Sequence, residues 1–441
     1  MGLLKQSGIV LVQNWLLVPL TFATDVIVAR VLGPEGKGAL LLLTGMLAVL
    51  VSLFSLGIPV AAAYHSRSKS YSLGRLFGTC LILTVVSTAV AGLVFLLFSP
   101  ELGTVFLGST GNPSLRSGWM MLTLACLFPS IAATMGDAVL IVNNEMRLYV
   151  VKRTGGSIIK ILLTWVLVVL LSRGVAGRLW AQLASLALEV AVFAYWLGTK
   201  AVWRALSTSW ESVRTVLRIG LQQYGLSLVA LVSKRFDTFL ISGVLSVREA
   251  GYFSIPYLLY SNAMTIPQST MWPMVSELSD GRGNRRAEDL AVSTRVQIAV
   301  MTLLAGLVGM TAPWWVRAVF GDAFIPATAA VLLILPTLVV APITINGSAL
   351  LTSRGEPGRA VLPGIIGTAV QVAVSLTLVP KIGILGSSIG LSLNYILVAA
   401  WMAMWIVRNG HVGLRSLLLV SFGDVKHIYA YVSRRIRPFG R

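Results

Sequence analysis

Charged residues are scarce in this chain. They make up 12% of its 441 residues, whereas an ordinary soluble domain carries about 25%. Apolar residues make up 56%, and the mean hydropathy is +0.83. This composition excludes a soluble enzyme or a soluble binding domain and indicates a polytopic membrane protein.

Cysteine and histidine are rarer still. The two cysteines, Cys80 and Cys126, both fall inside apolar runs, so they offer neither a disulfide framework nor a metal-binding spacing. The three histidines, His65, His411 and His427, stand too far apart along the chain to form a paired ligand motif. We therefore expect no catalytic metal, no cofactor and no metal-dependent hydrolysis.

Long apolar runs, in contrast, are frequent. A hydrocarbon core about 30 Å thick needs roughly 20 apolar residues per helix. Twelve runs meet this need and predict an all-α protein with twelve transmembrane helices: 9–31, 38–63, 76–98, 119–142, 155–172, 177–197, 217–245, 252–275, 294–316, 326–352, 361–380 and 384–407. The longest outside loop, about 99–118, is too short for a folded domain, which argues against an enzyme.

Lysine and arginine are distributed unevenly over the predicted loops. The N-terminus, the even-numbered loops and the C-terminal tail hold 24 of them, among them Lys152 and Arg153, and the odd-numbered loops hold 8. The positive-inside rule therefore predicts that both termini are cytoplasmic. The net charge of +19 comes from lysines and arginines that lie between apolar runs rather than on a soluble face, so it does not predict a nucleic-acid partner.

The sequence contains a weak internal repeat. The stretch "VLGPEGKGALLL" (31–42) aligns with "VLSVREAGYFSI" (244–255), and "GVAG" (174–177) aligns with "GILG" (383–386). Six helices per copy predict two similarly oriented lobes, 1–198 and 218–407, with a cavity between them. Residues 199–217 form a basic cytoplasmic linker, and residues 408–441 form a basic tail that could lie on the membrane as an amphipathic helix. This organisation favours transport by alternating access.

Charged residues near the centre of the seventh predicted span are the strongest candidates for a site. Lys234 and Asp237 lie one helical turn apart and could pair, which leaves Arg235 over. A guanidinium binds phosphate oxygens in bidentate fashion, and a lysine beside it adds a point charge. The pattern predicts a cationic site for a phosphate-bearing substrate, and the alternative is an ion-pair network that locks this helix to its neighbours.

Two further charged residues lie in spans of the first half. Asp25 has three alternatives: it pairs with Arg235, it carries a proton, or it bonds Arg30 one turn on. Lys160 has three alternatives as well: it forms a structural salt bridge with Glu189, it extends its ammonium to the cytoplasmic surface, or it faces the cavity. A charge at such depth costs about 2.5–3.5 kcal/mol, so each residue needs a partner or water.

Uncharged polar residues concentrate on the first and seventh spans. Asn14, Gln222 and Gln223 are the main candidates, and their clustering on two repeat-related helices predicts a hydrated lining suited to sugar hydroxyls. The alternative is hydrogen bonding between neighbouring helices.

The stretch "DVIVARVLGPEGKG" (25–38) resembles the signature after the first helix in the polysaccharide-transporter, or O-antigen flippase, group of the multidrug/oligosaccharidyl-lipid/polysaccharide (MOP) exporter superfamily. The stretches "SLGIPVAAAY" (55–64), "FDTFLISGVLSVREAGYFSI" (236–255) and "PKIGILGSSIG" (380–390) are similar to other family segments. The resemblance implies a MATE-like, V-shaped bundle in the bacterial cytoplasmic membrane. It also implies that the bundle flips undecaprenyl-pyrophosphate-linked oligosaccharides to the outer leaflet, with Lys234 and Arg235 holding the pyrophosphate.

The resemblance further implies membrane lipids as surroundings, and it leaves open a contact with polysaccharide polymerase or ligase machinery. Four other functions are alternatives, and the antiporter among them could carry a drug or another small solute. A non-transporting membrane scaffold predicts that Lys234 and Arg235 can be neutralised together with Asp237 without loss of function. A drug antiporter of the same superfamily needs an anionic cavity, a lipid II flippase usually has fourteen helices, and a major-facilitator transporter needs an acidic residue that "HSRSKSYSLGRLFG" (65–78) lacks.

Overall fold

The structure is a computed structural model, and it describes residues 3–68, 72–97, 113–200, 202–279, 285–354, 356–410 and 413. Within its helices, the side chains of several stretches are not described, among them 3–16 and 222–230. The predicted amphipathic tail lies outside the described residues, apart from the end of the last helix and Gly413.

The described residues form helices joined by short connections, so the predicted all-α class is confirmed. Fourteen α-helices follow in chain order: α1 Leu3–Phe54, α2 Ile58–Ser68, α3 Leu73–Leu97, α4 Pro113–Ala125, α5 Leu127–Val142, α6 Met146–Thr164, α7 Gly174–Thr199, α8 Trp210–Val244, α9 Val247–Ala263, α10 Thr265–Ser279, α11 Arg285–Phe320, α12 Ala327–Ser353, α13 Val361–Ile382 and α14 Ile384–Gly410. A π-helical turn, Trp165–Leu170, extends α6.

Nine candidate membrane spans are found in the described part of the chain, which makes this a multi-pass membrane protein. Some predicted spans are built from two helices. The run 119–142 is divided between α4 and α5 at Cys126, and the run 252–275 is divided between α9 and α10 at Met264. The count of twelve spans, the two predicted lobes and the position of the termini stay predictions.

The predicted loop after the first span is a kink inside one long helix. Gly33 has a φ of 66°, in the left-handed region that glycine adopts without steric cost, and Pro34 follows it. Helix α1 therefore has two arms, one on each side of Gly33. The kink redirects the second arm without a loop, and it allows residues of the two arms to approach each other.

Helix α6 begins at Met146, nine residues before the predicted span. The assignment of Lys152 and Arg153 to a cytoplasmic loop was therefore wrong. Charge was the signal for the loop, but the Lys152 side chain is 0% exposed because it lies inside the packed helices. A buried lysine needs partners, and these are described with the candidate site.

The contacts divide the chain into two compact units. The first unit comprises Met1–Leu258, Pro313–Ala330 and Val372–Ser387, and the second comprises Leu259–Ala312, Val331–Gln371 and Ser388–Arg441. A core of the first unit is built from buried side chains of both α1 arms and α7, including Val28, Leu42, Leu43, Met46 and Leu179. A core of the second unit is built from α12 and α14, including Leu351, Ala399, Met402 and Ile406.

The repeated segments meet inside the first unit. Gly38 and Gly251 occupy matched repeat positions, and each lies against the other's segment. A Cβ at Gly38 would collide with the carbonyl oxygen of Val247, and a Cβ at Gly251 would collide with the carbonyl oxygen of Pro34. The two helices thus cross backbone to backbone, an approach that small residues permit.

Neutral polar side chains are buried in the second unit. The Asn346 side-chain amide donates to Thr294 Oγ1 at 3.0 Å and to Gln297 Oε1 at 3.2 Å. Asn394 Nδ2 donates to Gln371 Oε1 at 2.6 Å. These bonds join α11 to α12 and α13 to α14, the role that amides commonly have between membrane helices.

Candidate functional site

Asp25 is paired across the kink of α1. Its carboxylate accepts a hydrogen bond from Lys37 Nζ in the second arm, and the two side chains form an ion pair. The expected pairings with Arg235 or Arg30 were therefore wrong. The kink brings residues 25 and 37 together, although they would lie more than three turns apart on a straight helix.

Arg30 has a different role from the pairing that the sequence suggested. Its guanidinium donates to the backbone carbonyls of Ala318 and Val319, and the bond to Val319 is 2.7 Å long. These carbonyls lie in the last turn of α11, where the backbone has no partner of its own. Arg30 thus caps α11, a helix from the second predicted half of the chain. The capped residues belong, with Arg30, to the first compact unit.

Lys152 joins three helices through a buried ion-pair cluster. Its Nζ lies 2.6 Å from Asp137 Oδ1 on α5 and 2.9 Å from Glu189 Oε2 on α7. It also donates to the Ala133 carbonyl at 2.9 Å. The predicted salt bridge between Lys160 and Glu189 was therefore wrong, because Lys152, two turns earlier on α6, pairs with that carboxylate.

Lys160 connects the two ion pairs electrostatically. It is half-buried, and its charge is attracted by Asp25 and Glu189 and repelled by Arg178 and Arg153. Arg178 is likewise within electrostatic range of Asp25, and it donates to Gln182 Oε1 at 3.4 Å. The resulting set, called here the N-half charge network, comprises Asp25, Lys37, Asp137, Lys152, Arg153, Lys160, Arg178 and Glu189.

The N-half charge network holds five cations and three carboxylates, so its formal charge is +2. Its members lie on α1, α5, α6 and α7, inside candidate membrane spans. Surplus charge in a membrane interior is costly unless water or a counter-ion reaches it. The arrangement can therefore bind an anion.

The two cations of α8, Lys234 and Arg235, have different surroundings from each other. The Arg235 guanidinium lies over the Tyr257 ring, with Cζ 5.5 Å from the ring centroid. Its Cδ would lie 3.9 Å from a Cβ at Gly45, on the second arm of α1. Lys234 is exposed, whereas Asp237, one turn on, is 3% exposed. The pairing of Lys234 with Asp237 stays a prediction.

The neutral candidates are described only in part. Asn14 lies in α1, and Gln222 and Gln223 lie in α8, but their side chains are outside the described part of the structure. Their proposed contact with sugar hydroxyls stays a prediction.

Sequence reasoning missed Lys37, Lys152 and Arg178 because each lies at the end of an apolar run and was counted as a loop cation. For Lys37 a signal was present, since Gly33-Pro34 marks a sharp bend that can turn a following lysine towards Asp25. For Lys152 the signal was the helical spacing of Tyr149, Lys152 and Gly156, all buried on one face of α6.

No group of three or more histidine, cysteine or carboxylate side chains that could hold a metal ion is found among the described residues. The charged groups of the N-half charge network are ammonium, guanidinium and carboxylate groups. Such groups bind and release charged solutes, and they can exchange one ionic partner for another.

Comparison of the sequence with known families identifies one model, described as "polysaccharide biosynthesis protein", which matches residues 27–329. Curated protein sequences give no significant match.

Solved structures with a similar fold include three transporters. The lipid II flippase MurJ, in an inward closed conformation, superposes with a TM-score of 0.75 at 12% identity, over 96% of this chain and 92% of its own. An inward-facing multidrug resistance MATE family transporter of the MOP superfamily gives 0.73 at 18% identity, over 89% and 95%. A MOP superfamily transporter from Pyrococcus furiosus gives 0.65 at 18%, over 94% and 96%. These likenesses establish the fold.

Proposed function

Because the chain belongs to the family of polysaccharide biosynthesis proteins, we propose that it is a flippase for an undecaprenyl-pyrophosphate-linked oligosaccharide. It moves this lipid from the cytoplasmic to the outer leaflet of the bacterial cytoplasmic membrane by alternating access. The flipped glycan then serves the synthesis of a surface polysaccharide.

The formal charge of +2 in the N-half charge network carries this proposal. A pyrophosphate diester brings about two negative charges, which match the two surplus cations. Lys160 and Arg178 are half-buried cations of the network whose charges both act on Asp25, so we place the pyrophosphate beside them. Guanidinium and ammonium groups suit phosphate oxygens, the first as a bidentate donor and the second as a point charge.

Lys234 and Arg235 provide a second site where the pyrophosphate can bind as it crosses the membrane. Tyr257 holds the Arg235 guanidinium by its ring face, which leaves the planar edge of the guanidinium, with its N–H groups, for an anion. The exposure of Lys234 suits a residue that meets a mobile substrate. Two cationic sites favour movement of the pyrophosphate across the membrane, because a single deep site would bind it too tightly to release it.

The alternative transporters differ from the proposed flippase, or resemble it, in the charge that their binding sites need. A drug antiporter carries cationic solutes and needs carboxylates in surplus, whereas the N-half charge network has cations in surplus. The Pyrococcus furiosus transporter is described as having a binding pocket of reverse polarity, which suggests a different function for that protein. A pocket of reversed charge is thus compatible with this fold. A lipid II flippase, as MurJ is, remains the nearest rival because lipid II also carries pyrophosphate.

Mass spectrometry of lipid extracts tests the proposal. Cells depleted of the protein are re-supplied with wild type, Lys160→Gln/Arg178→Gln, Lys234→Gln/Arg235→Gln, or the control Arg147→Gln/Arg359→Gln. The control removes the same charge from exposed positions outside the network. We expect one polyprenyl-pyrophosphate oligosaccharide to accumulate on depletion, to be cleared by wild type and control, and to persist at least about tenfold above wild type with either test variant.

Three outcomes would contradict parts of the proposal. If no such lipid accumulates after confirmed depletion, the flippase function is wrong. If lipid II accumulates instead, the rival function is correct. Clearance by a test variant at the wild-type rate would retain the flippase and remove that pair of residues from the site.

A further inference from the structure

The connection between α7 and α8 is packed against the protein. Val202–Ala205 forms one 3₁₀ turn, and Val202 is buried. Gly74 and Gly78 lie one turn apart on α3, where an added Cβ would collide with the carbonyl oxygens of Ala205 and Ser207. The two glycines thus form a groove that accepts extended backbone. We call residues 202–209 the strap.

Hydroxyl groups hold the other end of the strap. Thr79, on the same helix as the two glycines, bonds Thr208 Oγ1 at 3.1 Å and Ser212 Oγ at 2.8 Å. Ser209 and Ser212 cap the start of α8 reciprocally. These bonds fix the direction in which the strap presents its remaining side chains.

Part of the exposed face of the strap is apolar, beside the exposed Ser207 and Thr208. Trp203 and Leu206 are exposed, and Trp210, the first residue of α8, is 80% exposed. Trp203 Nε1 donates to the Ala194 carbonyl at 3.1 Å, so the indole is held in place although much of its ring is uncovered. A fixed and partly uncovered indole between two helix ends suits the boundary between water and hydrocarbon.

Basic side chains flank this face. Lys200 lies before the strap, and Arg214 and Arg218 are exposed on the first turns of α8. Residues 199–218 hold four cations and one carboxylate in sequence. The strap joins α7, a candidate membrane span, to α8, which contains the predicted span 217–245. It therefore lies on the side that the distribution of lysine and arginine assigns to the cytoplasm.

We propose that the strap and the first turns of α8 form a binding site for anionic phospholipid in the cytoplasmic leaflet. Trp203, Leu206 and Trp210 enter the level of the glycerol and upper acyl chains, and Arg214 and Arg218 bind the phosphate headgroup. Lys200, whose ammonium lies 3.5 Å from Glu145 Oε1, adds positive charge beside them. Charge complementarity favours anionic lipid over a zwitterionic one, because each basic residue near such a leaflet adds to the attraction.

Lipid-specific quenching tests the site. The full chain carrying Leu206→Cys is labelled with the fluorophore NBD and reconstituted into phosphatidylcholine vesicles. The native cysteines are fully buried, so the introduced thiol is labelled selectively. Two samples are compared, and in each a small and equal fraction of the lipid carries a nitroxide high on the acyl chain. The nitroxide-labelled lipid is phosphatidylglycerol in one sample and phosphatidylcholine in the other. We expect quenching by both lipids, and at least about threefold stronger quenching by phosphatidylglycerol.

Two variants separate lipid recognition from simple proximity. Arg214→Gln/Arg218→Gln should reduce the preference for phosphatidylglycerol to near one, whereas the control Arg147→Gln/Arg359→Gln should retain it. Equal quenching by the two lipids in wild type would overturn the proposal of an anionic lipid site. Absence of quenching would place the strap off the membrane and overturn it entirely, which would leave the exposed face for a soluble partner.

Discussion

Lys152 illustrates how a buried charge organises this protein at the scale of a residue. Its ammonium contacts two carboxylates and a carbonyl on α5 and α7, so one side chain joins three helices. A buried ion pair adds little net stability compared with a well-packed apolar core, but removing one partner leaves an uncompensated charge.

Replacement of Lys152 by Met should therefore destabilise the protein strongly. Asp137 and Glu189 would remain close together without their shared cation, at a cost of about 3–5 kcal/mol. Thermal unfolding in detergent, followed by size-exclusion chromatography, measures the effect. The neighbouring Arg153→Met serves as the control: its side chain is 46% exposed, 3.4 Å from Asp137, and its loss should cost less than about 1 kcal/mol. Equal losses for the two variants would contradict the role given to Lys152.

The Asp25–Lys37 pair should behave as a coupled unit. Lys37 is almost entirely buried, so Asp25→Asn leaves its ammonium without the carboxylate and should lower the unfolding temperature. The double variant Asp25→Asn/Lys37→Gln should recover part of this loss. A double-mutant cycle on thermal unfolding should give a coupling energy of about 0.5–3 kcal/mol. Additive losses would show that the ion pair does not hold the two arms of α1 together.

At the scale of elements, the crossing of the second arm of α1 with α9 depends on matched glycines. Gly38 and Gly251 each allow the backbone of the other segment to approach. A second matched contact accompanies them. Leu32 lies 4.0 Å from a Cβ built on Gly174, and its repeat partner Leu245 lies 3.9 Å from a Cβ built on Gly383. Both of these glycines have positive φ, 57° and 66°. The repeat is therefore visible in the contacts as well as in the sequence.

Replacement of Gly38 by Ala should push these two helices apart. The new methyl group would collide with backbone, which cannot move aside as a side chain can, so we expect a cost of about 1–3 kcal/mol. Spin labels on cysteines introduced at Glu35 and Arg248, two exposed and repeat-matched positions on these two helices, should report a longer distance by pulsed electron paramagnetic resonance. Gly243→Ala is the control, since its Cβ would meet nothing within 4 Å. An unchanged distance in Gly38→Ala would refute the close crossing.

At the scale of the whole molecule, the distribution of lysine and arginine predicts its direction in the membrane. Even without Lys152, Arg153, Lys37 and Arg178, which belong to the N-half charge network, the two sets of predicted loops hold 22 and 6 such residues, so the C-terminus should be cytoplasmic. Green fluorescent protein fused after Arg441 should therefore fluoresce, and alkaline phosphatase fused there should be inactive. Fusions after Lys381, in a predicted outside loop, should give the opposite pattern. Reversal of both results would invert the topology, and one reversed result would show that the helix count is wrong.

The class of this protein follows from its sequence without any knowledge of contacts. Apolar runs of membrane length can only be helices in hydrocarbon, because every backbone hydrogen bond must be made within the segment. The same local rule located the helical stretches to within a few residues, except where a helix carries charge, as at the start of α6. The short stretches that carry the family resemblance also sufficed for the family, which the match over residues 27–329 confirms.

Which charges meet is set by the packing of the helices and was not evident before the structure. Asp25 had a plausible partner one turn away in Arg30, but the bend at Gly33 brings Lys37 to it instead. Glu189 had a plausible partner in Lys160, but the register between α6 and α7 gives it Lys152. The physical reason is that ion pairs in a membrane depend on helix rotation and register, which arise from packing over many helices. Periodicity along one segment indicates depth, but the partner lies on another helix.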